Sequence, residues 1–126
     1  MILVDTSVWV RHLRDGDAVL ADLLERGLVL VHPFVIGELA LGSLRRRAAV
    51  LGALMDLPRA NVASDGEVLD FIDRGQLYNR GIGYVDAHLL AALRLTPDAF
   101  LWTRDRKLAA VAQALRLSAR IGASRR

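Results

Sequence analysis

Short runs of unbroken apolar residues alternate along the chain with longer segments whose apolar positions recur every three or four residues. Met1-Ile2-Leu3-Val4, Leu28-Val29-Leu30-Val31 and Phe100-Leu101-Trp102 are the short runs. Bounded by polar or turn residues, they predict buried strands. Ala60-Asn61-Val62-Ala63 and Ser118-Ala119-Arg120-Ile121 predict two further strands at the sheet edges. Between them the period changes to that of a helix. Ser7 can cap a helix over 8–13. The segment 18–26 puts Val19, Leu20, Leu23 and Leu24 on one face, with Gly27 as its stop. Pro33 suits the first position of a helix over 34–41, and Gly42 its end. A longer helix runs from Ser43 to about Met55 and is broken before Pro58. The segment 65–78 turns Val68, Leu69, Ile72 and Leu77 inward. Helices over 85–93 and 104–115 complete the set, the last with Thr103 as its N-cap. Strands alternating with helices predict an α/β fold: a central, mostly parallel sheet of four or five strands flanked by about seven helices. A length of 126 residues fits one domain over 1–126.

Four carboxylates interrupt this pattern. Asp5 ends the first strand. Glu38 is the only charge between Pro33 and Gly42. Asp86 opens the apolar helix Val85-Asp86-Ala87-His88-Leu89-Leu90. Asp105 follows the strand that ends at Trp102. Burying an unpaired carboxylate is costly. Each acid has an ordinary alternative role. Asp5 can cap a helix, although Thr6 and Ser7 can do so without it. Asp86 and Asp105 lie in first turns, where the helix dipole favours an acid. Glu38 can be an exposed residue of its helix. Together, however, the four suggest one shared cause, a divalent cation. Two carboxylates ~5 Å apart repel by roughly 3 kcal/mol at an effective dielectric of about 20. Oxygen-only ligands suit Mg²⁺ or Mn²⁺ better than zinc. Open α/β sheets bind ligands beyond the carboxyl ends of their strands, where Asp5 and Asp105 fall. The chemistry implied is metal-assisted phosphodiester hydrolysis. Asp5, Glu38, Asp86 and Asp105 would hold the ions and orient the water. Thr6 and Thr103 would hydrogen-bond to carboxylates or to the scissile phosphate.

Charge supports a polyanionic partner. There are 17 basic and 14 acidic residues; with four acids set aside in a pocket, the basic excess elsewhere rises from three to seven. All the basic residues but Lys107 are Arg, which suits bidentate phosphate contacts, although an Arg-biased genome would give the same composition. Arg104, Arg106 and Lys107 are placed to bind flanking phosphates, and an exposed helix face explains them equally well. The hydrophobic share of 53% and charged share of 25% describe a folded chain rather than a disordered one. No apolar run reaches the ~18 residues of a membrane span, and no basic region precedes the first run, so the expected location is cytoplasmic. The absence of cysteine excludes disulfides and thiolate metal sites.

Other signals are weaker. Asp15 and Asp17 flank Gly16 but lack the spaced ligands of a calcium loop. His12, His32 and His88 are scattered, and His88 does not share a helix face with Asp86. Trp9 and Trp102 read as core. No Ser-His-Asp order, phosphate-binding glycine loop or zinc motif occurs. A haloacid-dehalogenase phosphatase would need a second Asp where Ser7 stands. A response-regulator receiver would need an acidic pair near the first strand. A non-catalytic module that binds RNA or a protein partner is the remaining alternative, and a complete set of four acids argues against it.

The segments Val4-Asp5-Thr6-Ser7-Val8-Trp9, Gly37-Glu38-Leu39-Ala40-Leu41-Gly42, Gly83-Tyr84-Val85-Asp86-Ala87-His88 and Leu101-Trp102-Thr103-Arg104-Asp105-Arg106-Lys107-Leu108, in this order, resemble a PIN domain. The resemblance is to the VapC-type toxin ribonucleases of bacterial toxin–antitoxin pairs and spans essentially the whole chain. It implies an endoribonuclease in which Asp5, Glu38, Asp86 and Asp105 bind Mg²⁺ or Mn²⁺, with Thr6 and Thr103 in support. It further implies an RNA substrate, a homodimer and inhibition by a cognate VapB-like antitoxin. Leu and Val in 18–30 and 45–55 leave room for a groove that takes an amphipathic segment of such a partner, whose Arg would enter the acidic pocket.

Overall fold

The computed structural model describes residues 1–121; the basic tail Arg125-Arg126 lies outside them. Three strands form a parallel sheet: β1 (Ile2–Val4), β2 (Val29–Leu30) and β3 (Phe100–Trp102). Their order is β2-β1-β3, so the first strand is central. Ile2 pairs with Val29 on one side and Phe100 on the other, and Val4 pairs with Trp102. Parallel strands need crossovers, and the helices supply them. These are α1 (Thr6–Asp15), α2 (Ala18–Glu25), α3 (Pro33–Ala40), α4 (Arg47–Met55), α5 (Asp65–Gly75), α6 (Tyr84–Arg94) and α7 (Arg106–Ala114).

The sheet has three strands, not the four or five expected. At each expected edge there is only a single bridge, Val31 to Arg59, one residue before the segment 60–63, and Leu101 to Ser118, at the start of the segment 118–121. Pro58 has no N–H to extend the first ladder. Asn61 then turns away, its backbone N–H donating to Thr96 Oγ1 and its side-chain amide to the Leu95 carbonyl. In the second segment Leu117 and Ala119 close one pair of hydrogen bonds around Leu101, and no further residue pairs with β3 among the described residues.

Helix identities follow the sequence more closely than helix ends do. Val8, Trp9, Leu20, Leu23, Val35 and Leu39 face the core as their spacing requires. Every residue of α6 from Ala87 to Leu93 is buried, so this helix is enclosed on all sides. The helix expected from Ser43 starts at Arg47 instead. Arg46 precedes it with φ of 53°, left-handed backbone that an α-helix does not include, and of residues 43–46 only Leu44 is even partly buried. The helix begun at Asp65 ends at Gly75, because Gln76 turns left-handed with φ of 51°. Leu69, expected to face inward, is 57% exposed. Ser64 starts that helix with a reciprocal pair of bonds: its hydroxyl accepts from the Glu67 N–H, and Glu67 accepts from the Ser64 N–H. Among the described residues, no helix is long and apolar enough to cross a membrane.

His32 caps α3. Its Nδ1 accepts the Phe34 N–H at 3.0 Å, which requires a neutral ring, and the side chain is fully buried. Burial, reinforced by neighbouring His88 and Arg59, lowers its pKa from 6.5 to about 4. The unfolded chain therefore takes up a proton that the folded chain refuses. Stability is fully present above pH 6.5 and falls as pH drops from 6.5 towards 4. His32→Asn keeps a capping acceptor but removes the titration. Unfolding monitored between pH 7 and 5 should show a loss of about 2 kcal/mol in the wild type that is much smaller in the variant. Equal pH dependence in both proteins would refute the assignment.

Candidate active site

The four acids converge at the carboxyl end of the sheet. The Asp5 N–H donates to the Trp102 carbonyl at 2.9 Å, at the point where β1 and β3 diverge. Asp5 is 7% exposed, and its Oδ2 accepts two hydroxyls, Ser7 Oγ at 2.8 Å and Thr103 Oγ1 at 2.7 Å. Both hydroxyls are themselves oriented from the other side. Ser7 Oγ accepts the Arg104 N–H at 3.0 Å, and Thr103 Oγ1 accepts the Asp105 N–H at 3.0 Å. The end of β1, the first turn of α1 and the β3–α7 loop are thus joined through one carboxylate oxygen.

The other three acids are held in comparable ways. Asp105 Oδ1 accepts the Leu108 N–H at 3.0 Å. Asp105, not Thr103, is therefore the N-cap of α7, since Thr103 is turned towards Asp5. Thr6 Oγ1 donates to Glu38 Oε1 at 2.6 Å, linking α1 to α3. Asp86 Oδ2 accepts the Gly83 N–H at 2.9 Å from the loop before its own helix.

Each carboxylate is thus anchored through one oxygen. The second oxygen of each, Asp5 Oδ1, Glu38 Oε2, Asp86 Oδ1 and Asp105 Oδ2, meets no hydrogen-bond donor among the described residues. None of the four joins an ion pair there either. The acids that do have cationic neighbours are Asp15, Asp22 and Asp70. Mutual proximity is registered at Asp86, whose pKa is raised above the ordinary carboxylate value. Burial is the largest cause, partly opposed by the Gly83 N–H, and the charges of Asp5, Asp105 and Glu38 add to it.

Burial differs from the sequence expectation. Only Asp5 is buried; Asp86 is half-buried, and Glu38 and Asp105 are exposed. The four acids thus lie at a largely open surface rather than in a closed interior, and Glu38 also lines a neighbouring groove. No group of three Asp, Glu or His side chains is arranged among the described residues to enclose one ion unaided. That arrangement suits a cation that retains several waters and takes only one or two carboxylates directly, as Mg²⁺ does. Gly37 has no packing role beside Glu38, since a Cβ there would meet nothing within 4 Å.

Ser7 was legible only as a helix cap, yet it is as closely tied to Asp5 as Thr103 is. The signal was the Asp-Thr-Ser triplet: with one hydroxyl sufficient for capping, the second was left over. His88 does not join the acids. It is buried between the rings of Phe34 and Tyr84, each 4.6 Å away, with Nε2 3.4 Å from Asp65.

A raised Asp86 pKa means that its ionised form costs stability at neutral pH, and that the cost vanishes as pH falls through its folded pKa. Asn at this position can still accept from Gly83. In metal-free buffer, Asp86→Asn should therefore melt a few degrees above the wild type at pH 7 to 8, with the gap closing on acidification. A variant that melts lower at every pH would contradict the electrostatic account.

The PIN domain family profile matches residues 2–114. The chain is 50% identical over 110 residues to Ribonuclease VapC32 of Mycobacterium tuberculosis, in strain CDC 1551 / Oshkosh and in strain ATCC 25618 / H37Rv. The alignment covers 87% of this chain and 89% of each relative. With a profile that spans most of its length and relatives of this identity, the chain belongs to the PIN domain family.

Proposed function

We propose that this single-domain chain is a metal-dependent endoribonuclease, the toxin of a VapBC-type toxin–antitoxin pair. The observation that carries the reading is the set of four clustered acids, each with one unbonded oxygen and none ion-paired among the described residues. Such a cluster is unfavourable without a cation, and its donors are all oxygen. Kinship with Ribonuclease VapC32 supplies the substrate class.

Asp5, Glu38, Asp86 and Asp105 would hold Mg²⁺, or Mn²⁺ in its place. When bound, the ion supplies Lewis acidity towards a phosphodiester and lowers the pKa of water. The chain supplies the rest. Ser7 and Thr103 fix the Asp5 carboxylate so that its second oxygen points at the pocket. Thr6 holds Glu38 at the open side, where substrate enters. Asp86, held through Oδ2 by the Gly83 N–H, would orient the water with its other oxygen. A basic exterior draws RNA to this acidic mouth.

The groove beside the pocket supports the partner assignment. A cavity of about 330 Å³ lies between α1, α3 and α4, with Val10, Leu13, Leu39 and Val50 as apolar lining and Glu38 at its end. A neighbouring hollow of about 210 Å³ continues it past Trp9, Leu24 and Leu54. An antitoxin helix would lay its apolar face here, and an Arg from it would reach Glu38 and the acids beyond. We assign the protein to the cytoplasm, and to homodimers, on the same kinship.

Purified protein incubated with a mixed RNA pool should cleave in Mg²⁺ or Mn²⁺ and not in EDTA. Asp5→Asn should lower the rate at least ~100-fold while the fold survives, because Asn can still accept from Ser7 and Thr103. Metal-independent cleavage, or full activity in Asp5→Asn, would overturn the reading; binding of RNA without cleavage would favour a non-catalytic module. Ser7→Ala should weaken metal affinity or cleavage by about 10–100-fold, the usual effect of removing a group that orients a ligand. An unchanged metal titration would remove Ser7 from the site.

A further inference from the structure

The chain has a single lysine. Lys107 is the second residue of α7, directly after the Asp105 cap. Its side chain lies across Gly81, in the loop before α6. A Cβ placed on Gly81 would come within 2.6 Å of Lys107 Cδ, 3.3 Å of Cε and 3.2 Å of Nζ. Gly81 also has φ of 78°, a conformation that L side chains rarely adopt. Two separate constraints therefore keep this position free of a side chain, and the space so left is filled by the lysine stem.

The seat is firm at both ends. Ile82, next in the loop, packs against the core, and Gly83 gives its N–H to Asp86. Lys107 thus spans from the helix that begins at Asp105 to the loop that holds Asp86. The residue is exposed, and its ammonium forms no ion pair and donates no hydrogen bond among the described residues. A cation whose stem already packs on backbone loses less freedom on gaining a partner than one whose stem is free in solvent. Next to a pocket of carboxylates it has nonetheless taken none of them.

Resting on the nuclease reading, we propose that Lys107 is a positioning residue for the substrate: seated on Gly81, its ammonium binds an RNA backbone phosphate beside the scissile one. Lysine serves here as a point charge for a phosphate. Arg104 and Arg106 lack such a seat and contribute only general attraction. The contact carries no base information, so it sets affinity and register rather than sequence preference.

The test measures binding of a fluorescent single-stranded RNA over a salt series in Mg²⁺, in an Asp5→Asn background that keeps the RNA intact. Lys107→Gln should weaken binding several-fold and make the salt slope shallower by about 0.7, the value for one phosphate contact on a single strand. Arg26→Gln, which removes the same charge from α2, should do neither. Gly81→Ala should weaken binding when Lys107 is present and add nothing in the Lys107→Gln protein. In the cleaving enzyme the effect of Lys107→Gln should fall on KM and leave kcat near its original value. Lys107→Gln matching Arg26→Gln, while the wild type still cleaves, would overturn the lysine assignment alone. A wild type that neither binds nor cleaves RNA would overturn both readings.

Discussion

Repulsion among four carboxylates is the constraint around which this molecule is organised. Asp5, Glu38, Asp86 and Asp105 belong to four separate elements, brought together from positions up to a hundred residues apart. Nothing among the described residues neutralises them. The fold must supply the free energy that holds them together, and it does so through hydroxyl and amide donors aimed at one oxygen of each. Asp5 is the centre of that system because Ser7 and Thr103 both bond to it, each oriented in turn by a backbone N–H of the β3–α7 loop. Each carboxylate is hydrogen-bonded through one oxygen and open at the other, an arrangement that a cation would complete.

Sheet topology explains why the site lies where it does. The central strand is the first, and it ends at Val4. Its neighbour β3 ends at Trp102, in register with Val4. The two chains part at that point, and Asp5 and Thr103 both sit in the opening. The enclosed helix α6 packs against β3 and α5, which fixes Asp86 on its first turn. Glu38 is the outlying member. It is tied by Thr6 rather than by the sheet, it is exposed, and it also lines the apolar groove. That position makes Glu38 the group through which an occupant of the groove is felt in the pocket.

Much of this was legible in the residues because local rules and tertiary needs agree. An acid after a buried apolar run, as at Asp5, or alone in an apolar helix, as at Glu38, breaks the local pattern, and those breaks are what marked the cluster. The strand count was not legible, because one bridge and a full strand look alike in composition: what ended pairing after Arg59 was Asn61 bonding to Thr96 and Leu95, a long-range event. The start of α4 was misread because Ser43 is a good cap in isolation, but nothing holds the turn before Arg47. Exposure of Glu38 and Asp105 was misjudged because an apolar neighbourhood in sequence does not reveal an open pocket in space. Ser7 was overlooked because capping and carboxylate orientation call for the same residue type. Lys107 carried no sequence signal; its distinction depends on Gly81, which is distant along the chain and adjacent in space.

Metal binding measured with the protein at rest tests the central claim most directly, since it needs no knowledge of the RNA. Thermal unfolding of the wild type would be followed over a Mn²⁺ titration, beside a protein with Asp5 and Asp86 both changed to Asn. Mn²⁺ should stabilise the wild type progressively, by about 2.7 kcal/mol at a concentration a hundredfold above its Kd, and leave the double variant unmoved. A wild type indifferent to Mn²⁺ and Mg²⁺, or a double variant that responds as strongly as the wild type, would contradict it.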